Sequence, residues 1–351
     1  MYKFLQVLVG LFAVTTSVSA DISTNKSSIH FPRFWDWVSA HSIIPSSVEH
    51  VNHMFANWVS NDFYINEVNN QDLTYKLAHN AFSGMNLEEF SEHMGLNNDF
   101  VRPVFHLRGN NEMTVTGDEN LSALPTSVDW RSQGIVTPVK DQGQCGSCFS
   151  FSNTGALEGA YALKYGTLES FSEQEIVDCS ILKYGGPNMG CNGGQIGATM
   201  DWIGRNGGLC TEATYPYKSG TTKVAGTCQK STCSAVSGSR VVSHTNVAEN
   251  SDSAMMTALT KQPVSIAIEA DQAAFQFYSS GVFTQSCGTN LDHAVLLVGY
   301  GTLNGVDHYI LKNSWGSSWG NQGYMYIGRG SHYNNGQGQC GLLMEGAYPN
   351  L

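Results

Sequence analysis

The apolar positions of this chain follow three different patterns along its length. From Phe4 to Val14 they are almost continuous. Between about residues 30 and 100 they recur at helical steps: Val51, Met54, Trp58, Ile65 and Val68 form the stripe of an amphipathic helix, which Asn69-Asn70 ends. After Leu124 the sequence becomes Gly-rich and contains cysteine. There the pattern predicts a helix from Cys148, with Phe149, Phe151, Leu157, Tyr161 and Leu163 as its apolar residues and Gly166 as its stop. A second helix starts at Ser172, where Ser-x-x-Glu175 has capping-box spacing ahead of Ile176-Val177. The last ninety residues change period. Val264–Ala270, His293–Gly299, His308–Lys312 and Tyr324–Ile327 read as strands separated by Gly, Asn and Asp. The expected organisation is a helical half followed by a β half, preceded by a helical segment. Residues 97–122 are polar and irregular and read as a linker.

The first run is a secretory signal peptide in form. Lys3 precedes it, and Val18-Ser19-Ala20 places small residues for cleavage after Ala20. It is shorter than the ~20 residues of a membrane span, and no later run reaches that length. The rest of the chain is expected to be soluble and to fold in an oxidising compartment. Asn25-Lys-Ser27 and Asn120-Leu-Ser122 are glycosylation sequons. At 351 residues the chain has room for about two domains of ~150 residues. Its 41% hydrophobic and 13% charged content is that of a globular protein. A net charge of −11 argues against a broad nucleic-acid-binding surface.

Nine cysteines fit the oxidising compartment, and their odd number leaves one thiol over, either a dimer link or a reactive group. Cys145-x-x-Cys148 has metal or redox spacing, but no second close pair completes a tetrahedral site, so no metal is expected. Cys148 opens a predicted helix, where backbone amides favour a thiolate. Downstream lie His293, at the start of an apolar strand, and Asn313, in Lys-Asn-Ser-Trp-Gly. A Cys–His pair needs a third group to orient the imidazole, and an Asn oxygen can do so. Each residue alone has an ordinary structural reading; the ordered set is what points to nucleophilic catalysis.

The block Gln142-Gly-Gln-Cys145-Gly-Ser-Cys148-Phe149, with Gly190-Cys-Asn-Gly-Gly194, Tyr215-Pro-Tyr217, Asp292-His293-Ala294 and Asn313-Ser-Trp-Gly316, resembles papain-family cysteine proteases of the cathepsin L type. The resemblance runs from about residue 30 to the end. It implies an α+β, papain-like two-domain fold: a left helical domain, a right antiparallel β-barrel domain, the active-site cleft between them, and a mostly helical propeptide. The implied division is a signal peptide at 1–20, an inhibitory propeptide at 21–123 (inhibitor region about 30–95), and a mature peptidase at 124–351. The implied activity is that of a thiol endopeptidase made as a zymogen. It needs no cofactor, acts on proteins and peptides, and is restrained by its own propeptide and by cystatin-like inhibitors. A monomer is expected, in the secretory pathway, either in a lysosome or vacuole or outside the cell. A catalytically inactive papain-fold binding protein is the alternative.

Carried over residue by residue, Cys148 is the nucleophile, His293 its ion-pair partner and Asn313 the residue that orients His293. Trp315 shields that hydrogen bond, and Gln142 serves the oxyanion. Gly193 and Gly194 match the strip that pairs with substrate backbone, where a side chain would block approach. Gln195, Ile196, Ala267, Leu291, Asp292, Ala294 and Glu345 match the substrate site. Most suit an apolar second-position side chain, and Glu345 at the pocket floor would pair with Arg. The resemblance also implies the disulfides Cys145–Cys191, Cys179–Cys228 and Cys287–Cys340. Cys210 and Cys233 are then expected to pair, with 179–233 plus 210–228 as the alternative, which leaves Cys148 free. Two features depart from the family pattern. Phe149 stands where Trp is usual. In the propeptide the six motif positions are His50, Met54, Trp58, Asn61, Ile65 and Asn69; the first two depart, and Ala78-His-Asn80-Ala-Phe82-Ser-Gly84 is also degraded.

Overall fold

A computed structural model describes residues 27–94, 113–117 and 124–351. The leader with its cleavage point after Ala20, both sequon asparagines, and most of the predicted linker lie outside the described residues.

The N-terminal segment is helical, as its periodicity predicts. It contains α1 (Ser27–Ala40), α2 (Val48–Asn69), β1 (Tyr75–Leu77), α3 (Leu87–Met94) and β2 (Met113–Val115). Helix α2 starts where the Ser47 hydroxyl accepts the His50 N–H, and it ends before Asn70. Its buried stripe is Met54, Trp58, Ile65 and Val68, with one unpredicted member, Asp62. The stripe serves two cores. Met54 and Trp58 close a small one with Phe34, Trp37 and Val38 of α1. Ile65 and Val68 join a larger core built mostly of residues after 247.

The region after 124 begins with β3 (Val128–Asp129), α4 (Cys148–Tyr165), α5 (Glu173–Cys179), α6 (Ile196–Asn206) and α7 (Ser219–Thr222). Helix α4 stops at Gly166, whose left-handed φ of 71° suits glycine. Leu163 is exposed rather than buried, because the last turn of α4 leaves the core. Ser172 caps α5 by accepting the Glu175 N–H at 3.0 Å. The predicted capping box is only half made. The Glu175 carboxylate is taken by Asn206 and the Cys210 N–H, and the Ser172 N–H goes to the Cys210 carbonyl.

There follow β4 (Ser243–Val247), α8 (Asp252–Leu259), β5 (Val264–Ile268), α9 (Ala273–Gln276), β6 (Tyr278–Phe283), β7 (His293–Leu303), β8 (Val306–Lys312), β9 (Tyr324–Gly328) and β10 (Gly346–Asn350). The strands run in the order β1-β6-β9-β8-β7-β5-β10-β4-β2, with β3 on β7. Pairing is antiparallel except for β6 with β9 and β2 with β4. Both ends of this order are strands of the N-terminal segment, so that segment covers both edges of the sheet. One core fills the sheet side. A second lies where α4, α5 and α6 meet β5, β7 and β8, and includes Cys148. All nine cysteines are described: 145–191, 179–228, 210–233 and 287–340 are bridged, and Cys148 alone is free.

Candidate active site

Three elements bring the predicted residues together. Cys148 is the first residue of α4 and is buried. His293 opens β7, and Asn313 follows β8. The antiparallel register pairs Leu296 with Lys312, so the start of β7 and the end of β8 lie at the same end of the sheet. His293 Nε2 lies 2.8 Å from Asn313 Oδ1. That oxygen also accepts the Ser314 N–H at 2.8 Å, which fixes which way the amide points. Nε2 must therefore donate, and the neutral ring keeps its lone pair on Nδ1. Nδ1 is buried with no hydrogen-bond partner. The backbone amide of Ala294, the next residue, is within hydrogen-bond reach of the Cys148 sulfur. Trp315, 1% exposed, stacks on the imidazole with ring centres 4.7 Å apart.

Gln142 is fully buried and held at three points. Its N–H donates to the Ser314 carbonyl at 2.8 Å, and its Oε1 accepts the Ser314 hydroxyl at 2.7 Å. With the oxygen so engaged, Nε2 is the donor end; it reaches the carbonyls of Cys145 and Met94, each at 3.1 Å. Met94 ends α3 of the N-terminal segment and is fully buried. Phe90 of the same helix meets the face of Trp315 edge-on at 5.1 Å. Helix α3 therefore lies over the site with a peptide carbonyl on the Gln142 amide.

Burial governs the charges. It pushes the Cys148 thiol up to about 11; the neighbouring amides oppose this, and Asp292 adds to it. Burial pushes His293 down to about 4 against the Asn313 bond. Both groups are neutral in the covered state, because each charged form would lose its hydration. Asp292 is pushed up to about 8 by burial, against a hydrogen bond from the Ala270 N–H at 2.8 Å.

The predicted substrate residues are less uniform. Ile196, Ala267 and Ala294 belong to one buried cluster, with half-buried Leu291 packed against it. The Ala267 N–H donates to the Glu345 carbonyl at 3.3 Å, placing Glu345 beside that cluster. The Gln195 N–H is held by Asn188 at the start of α6. The two glycines have reasons other than access. Gly193 has a φ of 103°, and a Cβ on Gly194 would lie 2.4 Å from Asn188 and 2.5 Å from the Phe149 ring. Sequence reading missed Ser314, whose place beside Asn313 was a usable signal, and Met94, for which there was none. Among the described residues the one metal-like grouping, Glu175 with Cys210 and Cys233, has both sulfurs in a disulfide.

Residues 124–350 match the family described as papain family cysteine protease, and residues 34–90 match the cathepsin propeptide inhibitor domain. The chain is 40% identical to the KDEL-tailed cysteine endopeptidase CEP2 of Arabidopsis thaliana over 89% of its own length and 84% of that protein. It is 39% identical to vignain of Ricinus communis over 99% and 95%. Among solved structures, the proform of the ragweed pollen allergen Amb a 11, a cysteine protease, superposes with a TM-score of 0.79 at 34% identity, covering 92% of this chain and 94% of that one. Procathepsin L 3 of the Tenebrio molitor larval midgut superposes with a TM-score of 0.78 at 34% identity, covering 92% and 99%. A free thiol at a helix start, an imidazole fixed by an asparagine, and a helical segment laid across both are thus the features of a cysteine endopeptidase zymogen, and the chain belongs to the papain family.

Proposed function

We propose that residues 124–351 are the working peptidase, with Cys148 as nucleophile, residues 21–123 its inhibitory propeptide and residues 1–20 a signal peptide. When α3 leaves, water returns and the thiol proton passes to His293 Nδ1, giving a thiolate–imidazolium pair. The thiolate attacks the scissile carbonyl carbon. The oxygen takes up the negative charge and is met by Gln142 Nε2 and the Cys148 N–H. As the C–N bond breaks, His293 Nδ1 gives its proton to the leaving amine and a thioester remains. Nδ1 then takes a proton from water, the hydroxide attacks the thioester, and the acid product leaves with Cys148 restored. Asn313 holds the ring through this cycle, and Trp315 keeps water from their bond. The observation that carries this reading is the Met94 carbonyl 3.1 Å from Gln142 Nε2: a peptide carbonyl of the N-terminal segment already accepts from the side chain assigned here to the oxyanion.

The substrate pocket of Gln195, Ile196, Ala267, Leu291 and Ala294 takes Leu or Phe at the second position, and Glu345 extends it to Arg. Cystatin-like inhibitors would enter the same cleft. The enzyme works as a monomer within the secretory pathway, in a vacuole or lysosome or after export. The test uses acid-treated zymogen with a reductant, next to Cys148→Ala, on reporter peptides with Phe or Arg at the second position. Cleavage by wild type and none by the variant is expected, with the Arg/Phe ratio falling several-fold in Glu345→Ala. No cleavage by processed, folded wild type would favour a non-catalytic binding protein instead.

A further inference from the structure

The Tyr215-Pro-Tyr217 block has no part in the mechanism above, yet its second tyrosine reaches both sides of the oxyanion site. The Tyr217 hydroxyl donates to the Gln142 backbone carbonyl at 2.7 Å. Its only proton is thereby used, so the Ser147 hydroxyl, 2.7 Å from the same oxygen, must be the donor in that pair. Ser147 is the N-cap residue of α4, but its side chain makes no cap bond. A serine in that place ordinarily accepts an amide of the first turn. Here the hydroxyl is turned toward Tyr217, which leaves the first-turn amides, those next to Cys148, free of the cap side chain.

The loops around Tyr217 allow little adjustment. The Gln144 N–H donates to the Gly220 carbonyl at 2.9 Å. A Cβ on Gly220 would lie 2.7 Å from the Gln142 carbonyl oxygen, and one on Gly143, at φ 54°, 2.7 Å from the Gly220 oxygen. The Tyr217 ring meets Phe151 of α4 edge-on at 4.9 Å, and its N–H is held by the Glu212 carboxyl at 2.7 Å. Burial pushes the phenol above its ordinary range, so it stays a proton donor in acid and at neutrality. Gln142 is thus gripped on its side-chain oxygen by Ser314 and on its backbone carbonyl by Tyr217.

We propose that Tyr217 is a positioning residue of the peptidase reaction: through Ser147 it sets the start of α4, and through the Gln142 carbonyl it sets the opposing amide, so that both oxyanion donors converge on one point. This rests on the oxyanion site assigned under Proposed function.

The role predicts a split between two reactions of the same thiol. Peptide hydrolysis develops an oxyanion. Alkylation by iodoacetamide displaces iodide directly and develops none. In the acid-activated full-length protein, Tyr217→Phe should lower kcat on a reporter peptide about tenfold with KM within twofold, since small misplacements of such donors are costly. The alkylation rate of Cys148 and its pH dependence should stay within twofold of wild type. In a Gln142→Ala background the same change should add only about threefold, the share carried through Ser147. If Tyr217→Phe fails to fold, Ser147→Ala removes one hydroxyl and should lower kcat about threefold with alkylation unchanged. The proposal falls if kcat and alkylation drop in parallel, if the losses at 142 and 217 multiply, or if neither variant loses kcat. Activated wild type that is alkylated but cleaves no peptide would instead overturn the peptidase reading on which this one depends.

Discussion

The N-terminal segment and the peptidase region bury ionisable groups in opposite ways. The segment has no cysteine, and a small core of Phe34, Trp37, Val38, Met54 and Trp58. Beside that core Asp62, 2% exposed, takes both guanidinium nitrogens of Arg33 at 2.8 and 2.6 Å, with His79 at 3.0 Å and His30 at 3.3 Å. His79 stacks on Trp58, and the Arg33 guanidinium lies over the same ring. Burial works to raise the Asp62 carboxyl, but Arg33 and His79 outweigh it and hold the carboxyl below its ordinary range. Burial lowers His79 despite Asp62, and pushes His93 of α3 down to about 4, with Lys223 adding to the effect. The peptidase region has four disulfides and two large cores. There burial, with Glu173 beside it, pushes the Glu212 carboxyl up to about 7.

The signs are opposite. A histidine lowered in the fold binds a proton more readily when unfolded, so the segment loses stability as pH falls below ~6.5. A carboxyl raised in the fold is most stabilising when protonated, so the peptidase region loses stability as pH rises from ~4.5 toward 7. Acid therefore costs the segment stability at His79 and His93 and relieves the peptidase region at Glu212, while His293, lowered by burial, adds an acid-sensitive group at the covered site. The motif positions His50 and Met54 depart from the family pattern. Arg33, Asp62 and His79 supply a different ionic hub.

The largest expected effect is at His93. For a pKa of about 4 in the fold against 6.5 outside it, the loss at pH 4.5 is about 2 kcal/mol. In the Cys148→Ala zymogen, where self-cleavage is blocked, hydrogen exchange in α1–α3 should rise sharply between pH 6.5 and 4.5 while α4 and α5 stay protected. His93→Phe should flatten that rise; equal acid loss in both proteins would break the comparison. Next is Asp62→Asn, which keeps the shape but weakens charge-assisted bonds, at about 1–2 kcal/mol. It should speed zymogen activation near neutrality roughly tenfold and leave kcat of the processed enzyme unchanged. Unaltered activation would show that the hub carries no inhibition. Smallest is Glu212→Gln in the processed enzyme, about 1 kcal/mol once solvent screening is allowed for. Its thermal midpoint should exceed that of wild type at pH 7.5 and match it at pH 4.5. A uniform shift at both pH values would mean that titration is not the cause.

Much of the candidate site was legible because its residues are local in kind. Cys148 at a helix start, His293 at a strand start and Asn313 before Trp315 each sit in a short motif; cysteine parity leaves one thiol over, and the pairing implied by the family resemblance leaves Cys148 as that thiol. The strand pattern found β5, β7, β8 and β9, which carry long apolar runs. It missed β1, β2, β3, β4, β6 and β10. Those strands are two to six residues long, and β1 pairs with β6, about two hundred positions away. Asp62 was invisible because a polar residue on a helix normally faces water. Its burial depends on Arg33 and His79 arriving from other elements.

The sequence alone determined the chemistry available: one odd thiol, an imidazole and an amide in motif order, and a helical N-terminal segment without cysteine. These depend on residue identity and short spacing, which folding does not change. Only the tertiary structure decided which bonds those groups make. It placed the Met94 carbonyl on Gln142, turned Ser147 from its cap toward Tyr217, paired Cys210 with Cys233, and enclosed Asp62. Each is a contact between residues distant in the chain, favoured when packing excludes water and the polar groups must find partners inside the protein.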